Sequence, residues 1–173
     1  MIRYSIFLVM FLLFVLEGTV FQVFAPDLHG FPYILIPRWV LLVLVFVGIL
    51  QGRGPALLYA VGFGILYDVI YSPLLGVYTF GMAVVVYLVS FSIPFFQKNL
   101  GLSIMMALLA VVGLEYFVYG IYSLMGLASQ PHNLFFYTRL LPTFVFNGLI
   151  LVLTGFYLRK WILYVLKRKQ EFI

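Results

Sequence analysis

No cysteine occurs anywhere in this 173-residue chain, which rules out a disulfide framework and any thiolate metal site. Charge is nearly as scarce: Asp, Glu, Lys and Arg make up 9% of the residues, against about a quarter in a soluble domain. Recognisable catalytic patterns are missing too. There is no His-Glu-x-x-His and no Gly-x-Ser-x-Gly, and the histidines, His29 and His132, both fall in predicted outer loops. With no nucleophile, base or metal set supplied, the chain reads as non-enzymatic, and neither a cofactor nor a metal is implied. Apolar residues are what it has in abundance, 65% hydrophobic and 20% aromatic, the composition of an integral membrane protein. Most of the net charge of +5 sits near the C-terminus beside an apolar run. The partner which that charge implies is anionic lipid, not nucleic acid.

A span needs roughly 20 apolar residues to cross a hydrocarbon core of about 30 Å. Six segments qualify, at approximately 4–24, 31–50, 55–71, 74–96, 100–127 and 134–166. They make residues 1–166 one all-α, six-helix transmembrane domain and leave 167–173 as a basic cytoplasmic tail. Turn chemistry separates them: Ala25-Pro26-Asp27, Gln51-Gly52-Arg53-Gly54-Pro55, Ser72-Pro73, Gln97-Lys98-Asn99 and Ser129-Gln130-Pro131-His132-Asn133. The runs are continuously apolar, without the alternation of a barrel strand facing a wet lumen. The first run is too long for a signal-peptide core, contains Glu17 and lacks an Ala-x-Ala cleavage site, so it reads as a retained helix. With both termini cytoplasmic, the inner side receives Arg3, Arg53, Lys98, Arg159, Lys160, Lys167, Arg168 and Lys169, and the outer side only Arg38 and Arg139. Trp39 and Trp161 then fall near opposite interfaces, where indole rings anchor.

Counting about 1.5 Å per residue from the inner ends places Glu17, Asp68 and Glu115 at one depth, roughly 20 Å up. Arg38, carried on the second helix, enters the same layer from outside, with Arg139 slightly above it. An isolated charge at such depth costs at least about 2.5–3.5 kcal/mol and turns inward toward a partner. The expectation is an intramembrane cluster of Glu17, Arg38, Asp68, Glu115 and Arg139, with arginine forks bridging carboxylates from different helices. Its role is either to fix helix register or to relay protons or hold an anionic group. Small residues Gly48, Gly52, Ala60, Gly62, Gly64, Gly76 and Gly81 mark candidate sites of close helix packing or partner contact. Arg159, Lys160, Lys167, Arg168 and Lys169 bracket Trp161, Leu163, Tyr164 and Leu166, a pattern that suits a basic amphipathic segment along the inner membrane surface.

The run Gly62-Phe63-x-x-Leu66-Tyr67-Asp68-x-x-Tyr71, followed by Leu75-Gly76-Val77-Tyr78, resembles the central signature of the MreD family of rod shape-determining proteins. Leu16-Glu17-Gly18-Thr19-x-Phe21-Gln22-x-Phe24 and Glu115-Tyr116 resemble the version found in Bacillus-like bacteria. The likeness extends over nearly the whole chain in length, helix count and charge placement, while the motif proper covers about a third of it. One glycine of the usual Gly-Phe-x-x-Gly-Leu pattern is displaced, Ile65 standing after Gly64. The resemblance implies a scaffold of the bacterial elongation machinery in the plasma membrane. It would bind the bitopic protein MreC and link MreB filaments to RodA and a class B penicillin-binding protein, with the third and fourth helices as the expected partner face. The family is also similar in fold to the six-helix substrate-binding components of energy-coupling factor vitamin transporters, whose function is the alternative. Those components carry Ala-x-x-x-Ala on the first helix, where this chain has Ser5, Val9 and Leu13.

Overall fold

The computed structural model describes residues 4–23, 30–90, 97–128 and 130–170, the side chains of 20–23, 169 and 170 excepted. Their regular structure is entirely helical: α1 (Ser5–Val23), α2 (Trp39–Gln51), α3 (Arg53–Tyr71), α4 (Val77–Ser90), α5 (Leu100–Leu124) and α6. The last begins as His132–Phe135, passes through a π-helical turn at Phe136–Leu140 and continues as Leu141–Gln170. Helices α3, α5 and α6 are each long and apolar enough to cross a membrane, and α1, α2 and α4 are apolar over shorter described stretches. Arg3, the Ala25-Pro26-Asp27 turn, His29, Ser129, the 91–96 end of the fourth predicted span and residues 171–173 lie outside the described residues.

Helix α2 is the axis of the bundle. It touches α1, α3, α4, α5 and α6, and every residue of 40–49 is buried. A helix apolar on all faces can be satisfied only by apolar neighbours on all faces, and α2 has no polar stripe to offer water. The most extensive pairing is α3 with α4, made possible by Gly64, where an added Cβ would stand 2.5 Å from the Thr79 Cα. Gly81 admits Phe117 and Leu114 of α5, and Gly48 admits Ser90, each at under 3.0 Å from an added Cβ. Ala60 is fully buried. The packing expectation fails for three of the small residues. Gly52, Gly62 and Gly76 have open space where a Cβ would go; Gly52 and Gly76 serve instead the positive φ of two turns, 105° and 98°.

Several boundaries differ from those expected. The second predicted span starts eight residues late, at Trp39, because Pro32 and Pro37 interrupt it. A proline removes a donor and pushes the residue before it out of the helical region. What precedes α2 is a segment without helix, 31–38, bent at Pro32 and extended beyond it. Helix α4 begins at Val77, not Leu74, because Ser72 closes a turn by accepting from the Leu74 amide at 3.2 Å and donating to its carbonyl at 2.7 Å. Helix α5 stops at Leu124, its last carbonyls taken by Gly126 and Leu127, whose amides donate to Ser123 and Tyr122 at 3.1 and 2.8 Å. Residues 167–170, assigned to a tail, are helical and extend α6.

Candidate functional site

At the centre lies Glu115 of α5, fully buried. Its Oε1 accepts from Arg38, at 2.5 Å from Nη2 and 2.7 Å from Nε, and its Oε2 accepts from Arg139 Nε at 2.9 Å. One carboxylate thus holds two guanidinium groups. Arg38 is sealed, and its guanidinium lies 5.1 Å from the Tyr78 ring centroid and donates to the Tyr78 hydroxyl at 3.3 Å. Arg139 keeps 24% of its side chain exposed, so the single uncompensated positive charge of this trio reaches the protein surface there.

Arg38 does not sit on α2, as its sequence position suggested, but ends the extended segment just before it. Its backbone amide donates to Asn147 Oδ1 at 2.9 Å. Along the same edge, Ile36 N donates to Thr143 Oγ1 at 3.2 Å and Ile34 N to the Thr138 carbonyl at 2.7 Å. Alternate residues 34, 36 and 38 therefore pair with α6 at intervals of five and four residues. On a helix that is about 6–7.5 Å, which matches two residues of extended chain at about 3.3 Å each. Thr138 is free to accept because the amide four residues on belongs to Pro142, which has no N–H. The π turn sits where that bond is missing.

The other two carboxylates are not in the ion-pair network, contrary to expectation. Glu17 of α1 accepts from the Val40 amide at 2.9 Å and from the Tyr67 hydroxyl. Asp68 of α3 accepts from the amides of Gly76, Tyr78 and Thr79 at 2.9, 2.7 and 2.9 Å and from Thr79 Oγ1 at 2.6 Å. Each caps the N-terminus of a helix other than its own, Glu17 for α2 and Asp68 for α4. The reason is electrostatic. A helix start offers unsatisfied N–H groups and the positive end of its dipole, and these neutralise a buried carboxylate without an arginine. Tyr67 and Tyr78, stacked with centroids 5.7 Å apart, join the Glu17 cap to the Arg38 group. The resulting polar layer has side chains on five helices and on the segment before α2, and it reaches α2 through the Val40 amide.

Asn147, Thr143, Tyr67 and Tyr78 complete this layer but carry no charge, so a count of ionisable groups passes over them. Asn147 had a signal: it is a fully buried amide in the apolar run Phe144-Val145-Phe146-Asn147-Gly148-Leu149, and such a group must find partners. Among the described residues no three His, Cys, Asp or Glu side chains stand together as a metal site would require.

Toward the C-terminal end of α6, Arg159 is not a free surface cation. Its Nη2 donates to the Gln97 carbonyl at 2.6 Å. Lys160, Lys167 and Arg168 are exposed, and the side chain of Lys169 is outside the described residues. The helix carrying them keeps Ile162 and Val165 buried in the bundle and has no break that would turn it onto the surface.

Compared with known proteins, residues 2–165 match the family described as rod shape-determining protein MreD. The protein of that name from Bacillus subtilis (strain 168) is 40% identical over 135 residues, 73% of this chain and 78% of that protein. No solved structure matches the chain.

Proposed function

Since the chain belongs to the MreD family of rod shape-determining proteins and so has a role in cell shape, we propose that it is a non-enzymatic scaffold of the elongation machinery. It binds MreC in the bacterial plasma membrane and helps position peptidoglycan synthesis, within reach of MreB on one side and of RodA and a class B penicillin-binding protein on the other. The observation that carries the scaffold reading is how the buried charges are used. Glu115 is occupied by two arginines, Glu17 by the start of α2 and Asp68 by the start of α4, so the layer locks six helices together. That favours fixed register over a proton relay or an anion site.

The rest of the proposal concerns orientation and contact. Both termini face the cytoplasm, where Lys160, Lys167, Arg168 and Lys169 meet anionic lipid, and the transmembrane domain is one unit. Gly62, open on the outer face of α3 beside exposed Val61 and Ile65, keeps the third and fourth helices as the place for a partner's membrane helix. Six helices also support the likeness in fold to the energy-coupling factor components. Purification from the native membrane with identification of co-eluting proteins tests the function: an MreC protein is the expected companion. An ATPase-bearing transporter module with bound vitamin would overturn the scaffold in favour of the carrier.

A further inference from the structure

The segment 31–38, extended beyond the bend at Pro32, has two edges, and α6 covers one of them. Residues 34, 36 and 38 spend their amides on Thr138, Thr143 and Asn147, and Thr143 and Asn147 donate back to the Ile34 and Ile36 carbonyls at 3.4 and 2.9 Å. In an extended chain the intervening residues present their N–H and C=O groups on the opposite edge. Among the described residues no partner accepts from the Tyr33 or Leu35 amide or donates to either carbonyl. Pro37, the next position on that edge, has no N–H to satisfy. The face above is apolar: Phe31, Tyr33 and Leu35 line one wall of an open groove of about 520 Å³, and Tyr137, Leu141, Pro142 and Val145 the other.

We propose that this free edge is a docking strand, on which an extended, apolar segment of a partner polypeptide pairs with Tyr33 and Leu35 through backbone hydrogen bonds. This rests on the scaffold reading above. Lipid chains have no groups to offer an N–H or C=O, and irregular backbone is tolerated at membrane depth only where protein or water satisfies it. A membrane helix has already spent its own backbone groups, whereas an added strand brings donors and acceptors at the matching two-residue repeat. The partner's alternate side chains would stand beside Phe31, Tyr33 and Leu35 and extend the groove wall, so they are apolar. A second copy of this chain would bring the same side chains, which already line their own groove, and leave that space unfilled.

The absence of native cysteine allows a clean test in the full-length chain. The variant Tyr33→Cys is oxidised in membranes against single cysteines moved along the partner that co-purifies with the wild-type protein. Crosslinks recurring at every second partner residue are expected. Crosslinks recurring at every third or fourth residue, a disulfide between two copies of this chain, or no crosslink to a partner that still co-purifies would each overturn the docking strand while leaving the scaffold intact. If no partner co-purifies, both readings fall. As a second measurement, Leu35→Pro deletes a donor that the fold does not use, and it should lower partner recovery roughly fivefold to tenfold with unchanged thermal stability. Leu35→Ala, which keeps the amide, should retain most of the recovery; equal loss in both variants would assign the contact to the side chain and overturn strand pairing.

Discussion

Glu115 is the residue on which the polar layer depends most. Replacing it by Gln leaves Arg38 buried with no carboxylate, and breaking a buried pair from one side costs about 3–5 kcal/mol. Glu115→Gln should therefore lower the unfolding temperature in detergent far more than Arg139→Gln, since the Arg139 side chain is only partly buried. Asp68 works differently, through the amides at the start of α4. Asp68→Ala should cost about 0.5–2 kcal/mol, the range for losing a helix cap, with Asp68→Asn retaining part of it; stability measured by denaturant in mild detergent distinguishes them. That these charges fall near one level of the bundle was legible, because rise per residue is constant along a helix. Their pairing was not: Glu17 and Asp68 meet helix starts that are equivalent to any other until the faces of α1 and α3 are known.

At the level of elements, the prolines decide more than hydropathy does. A sliding count of apolar residues reads 31–50 as one helix, since Ile34, Leu35 and Ile36 are as apolar as α2 itself. Pro32 and Pro37 were visible, yet their consequence depends on Thr143 and Asn147, more than a hundred residues away in the chain, being there to satisfy an extended backbone. Pro142 has the same standing. Restoring an amide with Pro142→Ala lets the Thr138 carbonyl be taken within α6, in competition with Ile34. The π turn should then relax toward α-helix, turning Arg139 by about 100° relative to Glu115. Amide hydrogen exchange of Ile34, measured by mass spectrometry, should quicken in this variant; unchanged protection would show that the turn does not depend on the missing donor.

For the whole molecule, two kinds of charge should separate experimentally. The buried network is shielded from solvent and responds little to ionic strength, whereas the attraction to anionic lipid proposed for exposed Lys160, Lys167 and Arg168 would be screened within about a Debye length. Raising salt to about 1 M should leave the unfolding temperature nearly unchanged and weaken anionic-lipid retention, read by native mass spectrometry. Helix number and the all-helical class followed from composition and turn residues alone. The central position of α2 was also implicit in its lack of any polar face, but which neighbours surround it was not.

The distance in sequence between Arg38 and its partners has a consequence for biogenesis. The Glu115 and Asn147 groups that satisfy it lie 77 and 109 residues further along the chain. At about 5–20 residues per second of synthesis, they emerge roughly 4–22 s after it. Through that interval the nascent chain holds a cation and an unpaired stretch of backbone that lipid cannot accommodate, so the early helices must wait at the insertion machinery or in its aqueous shelter. A chain truncated after residue 128 would keep Glu115 for the cation but never gain Thr143 and Asn147 for the extended backbone, and pulse-chase labelling should find it degraded rapidly while the 173-residue chain persists.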